Sequence, residues 1–400
     1  MKKTAMLGAA LGCAAALPAF AQTAPAPAAA APAAPTSTAL TTPALTGPLA
    51  ANPNPGKFEA DPFGTVYVTG EVSGLAMIQG NAVPGEKEGR LDVGNLQLQF
   101  QKTEGLFQFY VQGGLYSLPS LGTPYLVASQ VNKQFFGPVP VVYGKLAPTD
   151  AFSIQGGKLP TLFGAEYTFT VQNMNIERGL LWNQEPAISK GVQANYTLGP
   201  LAFAVSFNDG YYSDRYNWID GSATWTIDPA NTLSAVAGGN IDRTKFLPNA
   251  TFSTPLAQSN SQIFNLIYTY NAAPWTVTPY FQYTNVPKNL SVGITGDAQT
   301  YGGAILANYA INENWNLAGR AEIIGSSGST NLLFGPGSSA WSLTVTPTWQ
   351  NGIFFARAEA SIVGLDSITK GAGGVPGTGF GKGGNSTSQG RFLFETGVLF

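Results

Sequence analysis

The stretch LQLQFQKTEGLFQFYVQ, residues 96–112, alternates apolar and polar side chains on both sides of a short break at 103–105. Leucine, phenylalanine and valine take one face, and glutamine and tyrosine take most of the other. This pattern predicts two half-buried β-strands joined by a tight turn. The parity slips just before the stretch, at Gly94-Asn95, which predicts a β-bulge.

The same alternation recurs along most of the chain, and short connections alternate strictly with long ones. Short turns on one side and long loops on the other are the layout of outer-membrane barrels. We predict an all-β fold for residues 63–400, a transmembrane antiparallel β-barrel with an up-and-down meander. Its strands number about 16, and we place them near 65–78, 90–102, 106–118, 139–147, 151–158, 187–198, 201–208, 217–227, 232–242, 261–271, 275–285, 299–311, 315–326, 339–350, 353–363 and 391–400.

The composition also favours a membrane-embedded surface. Charged residues make up 10% of the chain, whereas soluble domains usually carry about 25%. Beyond the N-terminal region, Pro or polar residues interrupt every long apolar stretch, so no helical span is expected. A closed barrel is then the option that pairs every backbone group in hydrocarbon.

The N-terminal region has the features of an exported protein. Lys2 and Lys3 precede a short apolar run, and Ala19-Phe20-Ala21 reads as a cleavage site, which predicts a signal peptide over residues 1–21. Residues 22–62 are rich in Ala and Pro in their first part, and we predict a disordered periplasmic spacer there.

Residue types that are missing exclude several functions. The single cysteine, Cys13, lies in the predicted signal peptide, and the chain has no histidine. The remaining chain therefore lacks disulfides, the usual zinc or copper ligands and any Ser-His or Cys-His nucleophile pair. We expect no enzyme, cofactor or metal site, since a carboxylate-only hydrolase would need a carboxylate pair and none stands out. A formal charge of −4 without Lys2 and Lys3 argues against nucleic acid as a partner.

Strand parity turns a set of charged side chains toward the lumen. Arg320 and Glu322 are two residues apart and so share a face, and Arg357 and Glu359 repeat that spacing. These charges either bias which solutes pass or form a network that stiffens the wall. The predicted lumen-wall residues are Glu71, Lys145, Asp220, Arg320, Glu322, Arg357, Glu359, Arg391 and Glu395.

The connection at 159–186 is too long for a simple turn, and loops of that length are often functional. Folded into the barrel, it would form a constriction that sets size and charge limits. The alternative is an external loop packed on the barrel rim. The predicted constriction residues are Glu166, Glu177, Arg178, Trp182 and Glu185.

The segments GGKLPTLFGAEY (156–167), NIERGLLWNQEP (175–186) and KGVQANY (190–196) resemble the OmpL-like β-barrel porin family of Gram-negative outer membranes. The resemblance covers about a tenth of the chain. It implies a general or loosely selective outer-membrane channel, with Glu166, Arg178 and Pro186 in the constriction loop. The terminal Phe400 is similar to the C-terminal signal by which such barrels engage the barrel-assembly machinery.

Together these features predict a cell-outer-membrane porin through which small hydrophilic solutes or ions diffuse passively. Outer-membrane lipid would surround the barrel, and a homotrimer is the assembly common among porins of this size. The alternative is an adhesin or receptor that acts through its outer loops and uses the barrel as an anchor.

Overall fold

A computed structural model describes residues 47–62, 64–245 and 255–400. Within these ranges 17 strands form one antiparallel sheet. From β2 onward each strand pairs with the next, and β17 pairs back with β2, so 16 strands close into a barrel. The strands are β1 Gly56–Ala60, β2 Gly64–Gly80, β3 Gly89–Lys102, β4 Phe107–Tyr116, β5 Val141–Leu146, β6 Phe152–Pro160, β7 Ile188–Leu198, β8 Leu201–Asn208, β9 Trp218–Asp228, β10 Asn231–Asn240, β11 Gln262–Ala272, β12 Trp275–Val286, β13 Ala298–Ala310, β14 Trp315–Gly328, β15 Ser339–Asn351, β16 Phe354–Asp366 and β17 Ser388–Leu399.

The described helices are short and lie in connections. One α-helix, α1, spans Ala128–Gln134, and single 3₁₀ turns occur at Thr170–Gln172, Trp182–Gln184, Gln258–Asn260 and Leu290–Val292. In the described part of the chain, no helix has both the length and the apolar character required to span a membrane.

The predicted fold is confirmed, because the closed meander has the predicted number of strands in the predicted order. One boundary differs: β1 lies inside the range assigned to a disordered spacer. Its residues pair with the start of β2, from Gly56 opposite Val68 to Ala60 opposite Gly64. The hairpin forms because β2 extends beyond the end of β17, which leaves backbone groups on β2 available for pairing. The predicted signal peptide and the first part of the spacer, to residue 46, lie outside the described residues.

Exposure alternates along the strands as a membrane barrel requires. On β15, Trp341, Leu343 and Val345 are exposed, and Ser342 and Thr344 between them are buried toward the lumen. On β17, Phe392 and Phe394 are exposed in the same way. Aromatic rings gather near the strand ends: Trp275 packs on Tyr309 with 4.7 Å between ring centroids. These faces form an apolar belt with aromatic margins, as expected for contact with lipid.

The predicted bulge is confirmed. The register between β2 and β3 shifts at Ser73/Gly74, where Asn95 faces Ser73 and Val93 faces Gly74. Gly94 is the extra residue, and a Cβ there would lie 2.5 Å from the Ser73 hydroxyl. A glycine is therefore needed at the bulge.

The two ends of the barrel differ in their connections. Short turns at 103–106, 147–151, 199–200, 229–230, 273–274, 311–314 and 352–353 lie at one end, called the turn end here. Connections of eight or more residues lie at the other, the loop end, and the longest described throughout is 161–187. The N-terminus of β2 and the C-terminus of β17 both lie at the turn end.

The last residue closes the seam between β17 and β2. The Phe400 N–H donates to the Gly70 carbonyl at 2.9 Å, and the Gly70 N–H donates to the Phe400 carbonyl at 2.8 Å. The Phe400 ring lies over Gly70, where a Cβ would come within 2.6 Å of the ring.

We predict that Gly70→Ala destabilises the folded barrel by roughly 1–3 kcal/mol, because the new methyl displaces the Phe400 ring. Gly74→Ala is the matched control, since a Cβ at Gly74 meets no atom within 4 Å. The measurement is the urea concentration at which the folded band is lost in gel-shift assays. Equal shifts for the two variants would contradict the role of the Phe400 ring.

Candidate functional site: the lumen insert

The connection 161–187, here called the lumen insert, lies inside the barrel. Every residue from 168 to 181 is buried, and its polar contacts reach strands on several sides of the barrel wall. The insert begins beside β9–β11, where Phe163 packs against Trp218, Val236 and Ile263. It continues across to β16 and β17.

An arginine–glutamate pair on β14 holds one part of the insert. The Arg320 guanidinium lies 2.5 Å from Glu166 and 3.2 Å from Glu322, and it also donates to the Glu177 carbonyl at 2.7 Å. Glu166 in turn accepts the Gly179 N–H at 2.8 Å. All of these side chains are buried, so one guanidinium compensates two buried carboxyl groups that also accept backbone N–H groups.

The corresponding pair on β16 holds the next part of the insert. Arg357 donates to three backbone carbonyls of the insert, those of Thr170, Asn173 and Met174, at 2.9–3.0 Å. Glu359 accepts the N–H groups of Ile176 and Glu177, at 2.5 and 3.0 Å. The arginine therefore satisfies carbonyls and the glutamate satisfies N–H groups of one buried backbone segment.

Strand β17 completes the set of anchors. Arg391 lies 2.7 Å from Glu177 and also donates to the carbonyls of Ser120 and Thr123. Glu395 accepts the Thr170 hydroxyl at 2.6 Å and lies 3.6 Å from Arg357. The charged side chains that strand parity predicted to face the lumen therefore contact the insert and the connection 117–140.

Two glycines of the insert accommodate carboxylates. A Cβ on Gly179 would lie 2.1 Å from a Glu322 oxygen, and Glu322 accepts the N–H groups of Leu180 and Leu181. A Cβ on Gly164 would lie 1.9 Å from a Glu185 oxygen, and its φ of +77° also favours glycine. Glycine at positions 164 and 179 therefore leaves space for a neighbouring carboxyl group.

The remaining predicted residues occupy different surroundings. Arg178 is fully buried, with its guanidinium 5.3 Å from the Trp182 ring centroid. Glu71 accepts hydrogen bonds from Gln97 and Gln99 on β3, and Asp220 accepts one from Asn208.

Eight of the nine predicted lumen-wall residues are at most 6% exposed. Lys145 is the exception: it is half-buried and lines a cavity of about 760 Å³ at the turn end.

Glu185 lies at the end of the insert and is 6% exposed. One carboxylate oxygen lies 3.4 Å from the Tyr280 hydroxyl, while the other has no hydrogen-bond partner among the described residues. Burial, together with the nearby Glu166 carboxylate, raises the pKa of the Glu185 carboxyl well above its usual range.

The sequence did not predict that two other segments pack against the insert. The connection 117–140 contains α1 and packs on the insert through Leu118, Val131 and Phe169. Near the turn end, Leu49 is buried against Val171, Phe355 and Leu399. The only signal for Leu49 was an apolar residue after a proline-rich run, and such a residue has many possible neighbours.

The opposite side of the lumen is polar but nearly uncharged. Half-buried amide and hydroxyl side chains line the turn-end half of β6–β11, and the Thr224 and Ser234 hydroxyls lie 2.5 Å apart across β9 and β10. The side chains that define this surface, here called the polar wall, are Gln155, Asn195, Ser222, Thr224, Ser234 and Thr269.

A family model described as "Putative beta-barrel porin-2, OmpL-like" matches residues 65–400. No curated protein matches the sequence. Among solved structures, the outer-membrane channel DcaP of Acinetobacter baumannii is similar, with a TM-score of 0.58 at 11% identity over 86% of this chain and 99% of that one. An anion-selective porin from Comamonas acidovorans gives 0.56 at 11% identity over 84% and 99%. The trimer form of Vibrio cholerae OmpT gives 0.55 at 10% identity over 84% and 99%. At these identities the likenesses show the barrel fold.

We predict that Arg320→Gln releases the insert from the wall, because Glu166 and Glu322 are then buried without their cation. Breaking a buried pair on one side costs about 3–5 kcal/mol. Arg178 is the single basic residue of the insert, so trypsin cleavage after Arg178 reports its release. In the wild-type barrel that residue is fully buried, and the bond should resist.

The control for this prediction is Arg215→Gln, because Arg215 is exposed and forms no ion pair with the described residues. A correctly folded Arg320→Gln barrel that resists trypsin as well as the control would show that Arg320 does not hold the insert.

Proposed function

Since the chain belongs to the OmpL-like β-barrel porin-2 family, it is an outer-membrane porin, and we propose that small hydrophilic solutes diffuse through it past a constriction made by the lumen insert. A barrel of sixteen strands is wide enough for an aqueous channel. The observation that carries the proposal is the anchored insert, which occupies one side of the lumen and leaves the polar wall on the other.

We place the solute path along the polar wall. Its hydroxyl and amide groups offer both donors and acceptors, so they replace part of a solute's hydration shell. The free-energy cost of moving a hydrated solute from water into the lumen is therefore small. The insert supports this path because its backbone and side chains narrow the lumen opposite the wall.

Charge selectivity is expected to be weak. The inward charges on β14, β16 and β17 are engaged with the insert and nearly inaccessible to solvent, so they contribute little to the field along the path. Lys145 is the half-buried exception and favours anions near the turn end. These electrostatics suit neutral solutes and small anions better than cations.

The family also supports proposals about surroundings and assembly. We infer a channel rather than an enzyme, and we propose lipid contact around the apolar belt, with the turn end in the periplasm and the loops outside. A homotrimer is proposed because the similar OmpT structure is a trimer form. Phe400 is proposed as the signal read by the barrel-assembly machinery.

We predict that replacing residues 166–182 by a short Gly-Ser linker increases single-channel conductance, because the constriction is removed while the barrel wall is kept. The measurement is stepwise current through the refolded protein in a planar bilayer. Deleting the exposed tip at 372–375 serves as the control and should leave conductance unchanged. A folded wild-type barrel that conducts no ions would contradict the porin proposal and favour an adhesin or receptor.

We predict that Lys145→Gln shifts the reversal potential in a salt gradient toward cation preference, because the accessible positive charge of the lumen is lost. Lys370→Gln, an exposed change at the loop end, should shift it less. An unchanged reversal potential in the Lys145 variant would place the path away from that side chain.

A further inference from the structure

The turn end of the lumen contains a cavity whose chemistry differs from that of the loop end. At the loop end, a cavity of about 550 Å³ has mainly apolar and aromatic walls, with contributions from Leu180, Trp182 and Phe334. The turn-end cavity has a volume of about 760 Å³ and is lined by β3–β6 and the turns between them. Both volumes fall in the range of about 300–1,000 Å³ that is typical of small-molecule sites. Polar and charged side chains form most of the turn-end walls, so we expect a hydrophilic ligand there.

Lys145 supplies the available positive charge of the turn-end cavity. Its side chain is half-buried, and its ammonium forms no ion pair or hydrogen bond with the described residues. Lys102, the other lysine of the cavity, is engaged, because its ammonium donates to the carbonyls of Glu104 and Phe107. An anion that enters the cavity can therefore pair with Lys145 without displacing another partner.

The acids of this cavity leave Lys145 unpaired. Glu104 and Asp150 lie in the turns, are exposed, and form no ion pair with the Lys145 ammonium. Water and salt screen exposed charges more strongly than half-buried ones. The potential close to the Lys145 ammonium is therefore positive.

The strand register places an amide on each side of Lys145. Gln108 on β4 and Gln155 on β6 both lie directly opposite Lys145, and Gln193 on β7 lies directly opposite Gln155. Directly opposite residues share a face of the sheet, so the four side chains form one row on the lumen face, with strands about 4.8 Å apart. Lys145 is one residue from the turn-end terminus of β5, and Gln193 is five from that of β7. The row therefore leads from the turn end toward the polar wall.

The amides of this row offer hydrogen-bonding groups next to the ammonium. Gln108 donates to the Gly105 carbonyl at 3.1 Å, and Gln193 donates to the Asn195 side chain at 2.6 Å, which orients both side chains. The Gln155 amide forms no hydrogen bond with the described residues. Each amide oxygen can accept a hydroxyl proton, and the Gln155 amide nitrogen can also donate. A chain of hydroxyl groups that extends from an anion on Lys145 would find partners along the row.

We propose that this row binds small hydroxylated carboxylates such as sugar acids, with the carboxylate on Lys145 and the hydroxyl groups on the amides of Gln108, Gln155 and Gln193. The ammonium donates a charge-assisted hydrogen bond to the carboxylate. The amides distinguish a hydroxylated chain from an alkyl chain, which offers them no partner. The inference rests on the proposed function, since it names the class of solute that is held beside the path.

The test measures binding by saturation-transfer NMR with the full barrel in nanodiscs of zwitterionic phosphatidylcholine, which requires no ion current. Gluconate, sorbitol and glucamine share a hydroxylated chain and carry a carboxylate, a hydroxyl and an amine at one end. Gluconate should bind roughly 10-fold more tightly than sorbitol, as expected for a hydrogen bond between charged groups. Glucamine should bind most weakly of the three. Propionate, which has no hydroxyl group, should bind more weakly than gluconate.

The variants separate the charge from the amides. Lys145→Gln should lose the preference for gluconate over sorbitol, and Lys145→Arg should retain it, because the positive charge is kept. Gln155→Ala should lower the affinity for gluconate toward that for propionate. Lys57→Gln is the matched control, since Lys57 on β1 is an exposed cation at the turn end that does not line the cavity, and it should bind as the wild type does.

Equal affinities of the wild-type barrel for gluconate and sorbitol would overturn this inference, and so would an unchanged preference in a folded Lys145→Gln barrel. Single-channel current is recorded separately on the same preparations. A barrel that binds gluconate and conducts no ions would contradict the porin proposal alone. A barrel that conducts ions and does not bind gluconate would contradict this inference alone.

Discussion

The structure depends on the burial of an irregular backbone segment inside a barrel, and charged wall residues make that possible. An insert without a regular hydrogen-bonding ladder must find partners for its N–H and C=O groups. On β16, Arg357 takes carbonyls and Glu359 takes N–H groups, two positions apart on the lumen face. On β14, Arg320 and Glu322 do the same for the Glu177 carbonyl and for the N–H groups that follow Arg178. Each pair is nearly neutral as a unit, which limits the cost of burying its charges.

This arrangement divides the lumen into two parts with different physical character. The insert occupies the side near β14–β17, and the charged side chains there form ion pairs and hydrogen bonds with it. The polar wall on β6–β11 keeps amide and hydroxyl groups in contact with the remaining space. Charges that look like a selectivity filter in the sequence therefore act mainly as anchors. Lys145, at the turn end, is the predicted lumen-wall residue that remains half-buried.

Features that depend on neighbouring residues in the sequence were predicted, and contacts between residues far apart in the sequence were not. Strand alternation is local, so the sixteen strands and even the bulge at Gly94 followed from period-two patterning. The inward direction of Arg320, Glu322 and Arg391 followed from parity for the same reason. The sequence did not predict which residues these side chains contact. Arg391 pairs with Glu177, and Leu49 packs against Phe355, and each pair is separated by more than 200 residues with no local signal. The loop-end cavity is similarly built from five separate connections and two strands, and no single stretch encodes it.

The glycines show that the insert and the wall form one unit. Gly179 is restricted by a carboxyl on β14, and Gly164 is restricted by the carboxyl of Glu185 within the insert itself. A side chain at either position would displace a buried carboxyl group. If the insert is replaced by another loop, Glu322 loses the N–H donors of Leu180 and Leu181. The segment that these wall residues anchor also carries Glu185, whose carboxyl group occupies the space that Gly164 leaves.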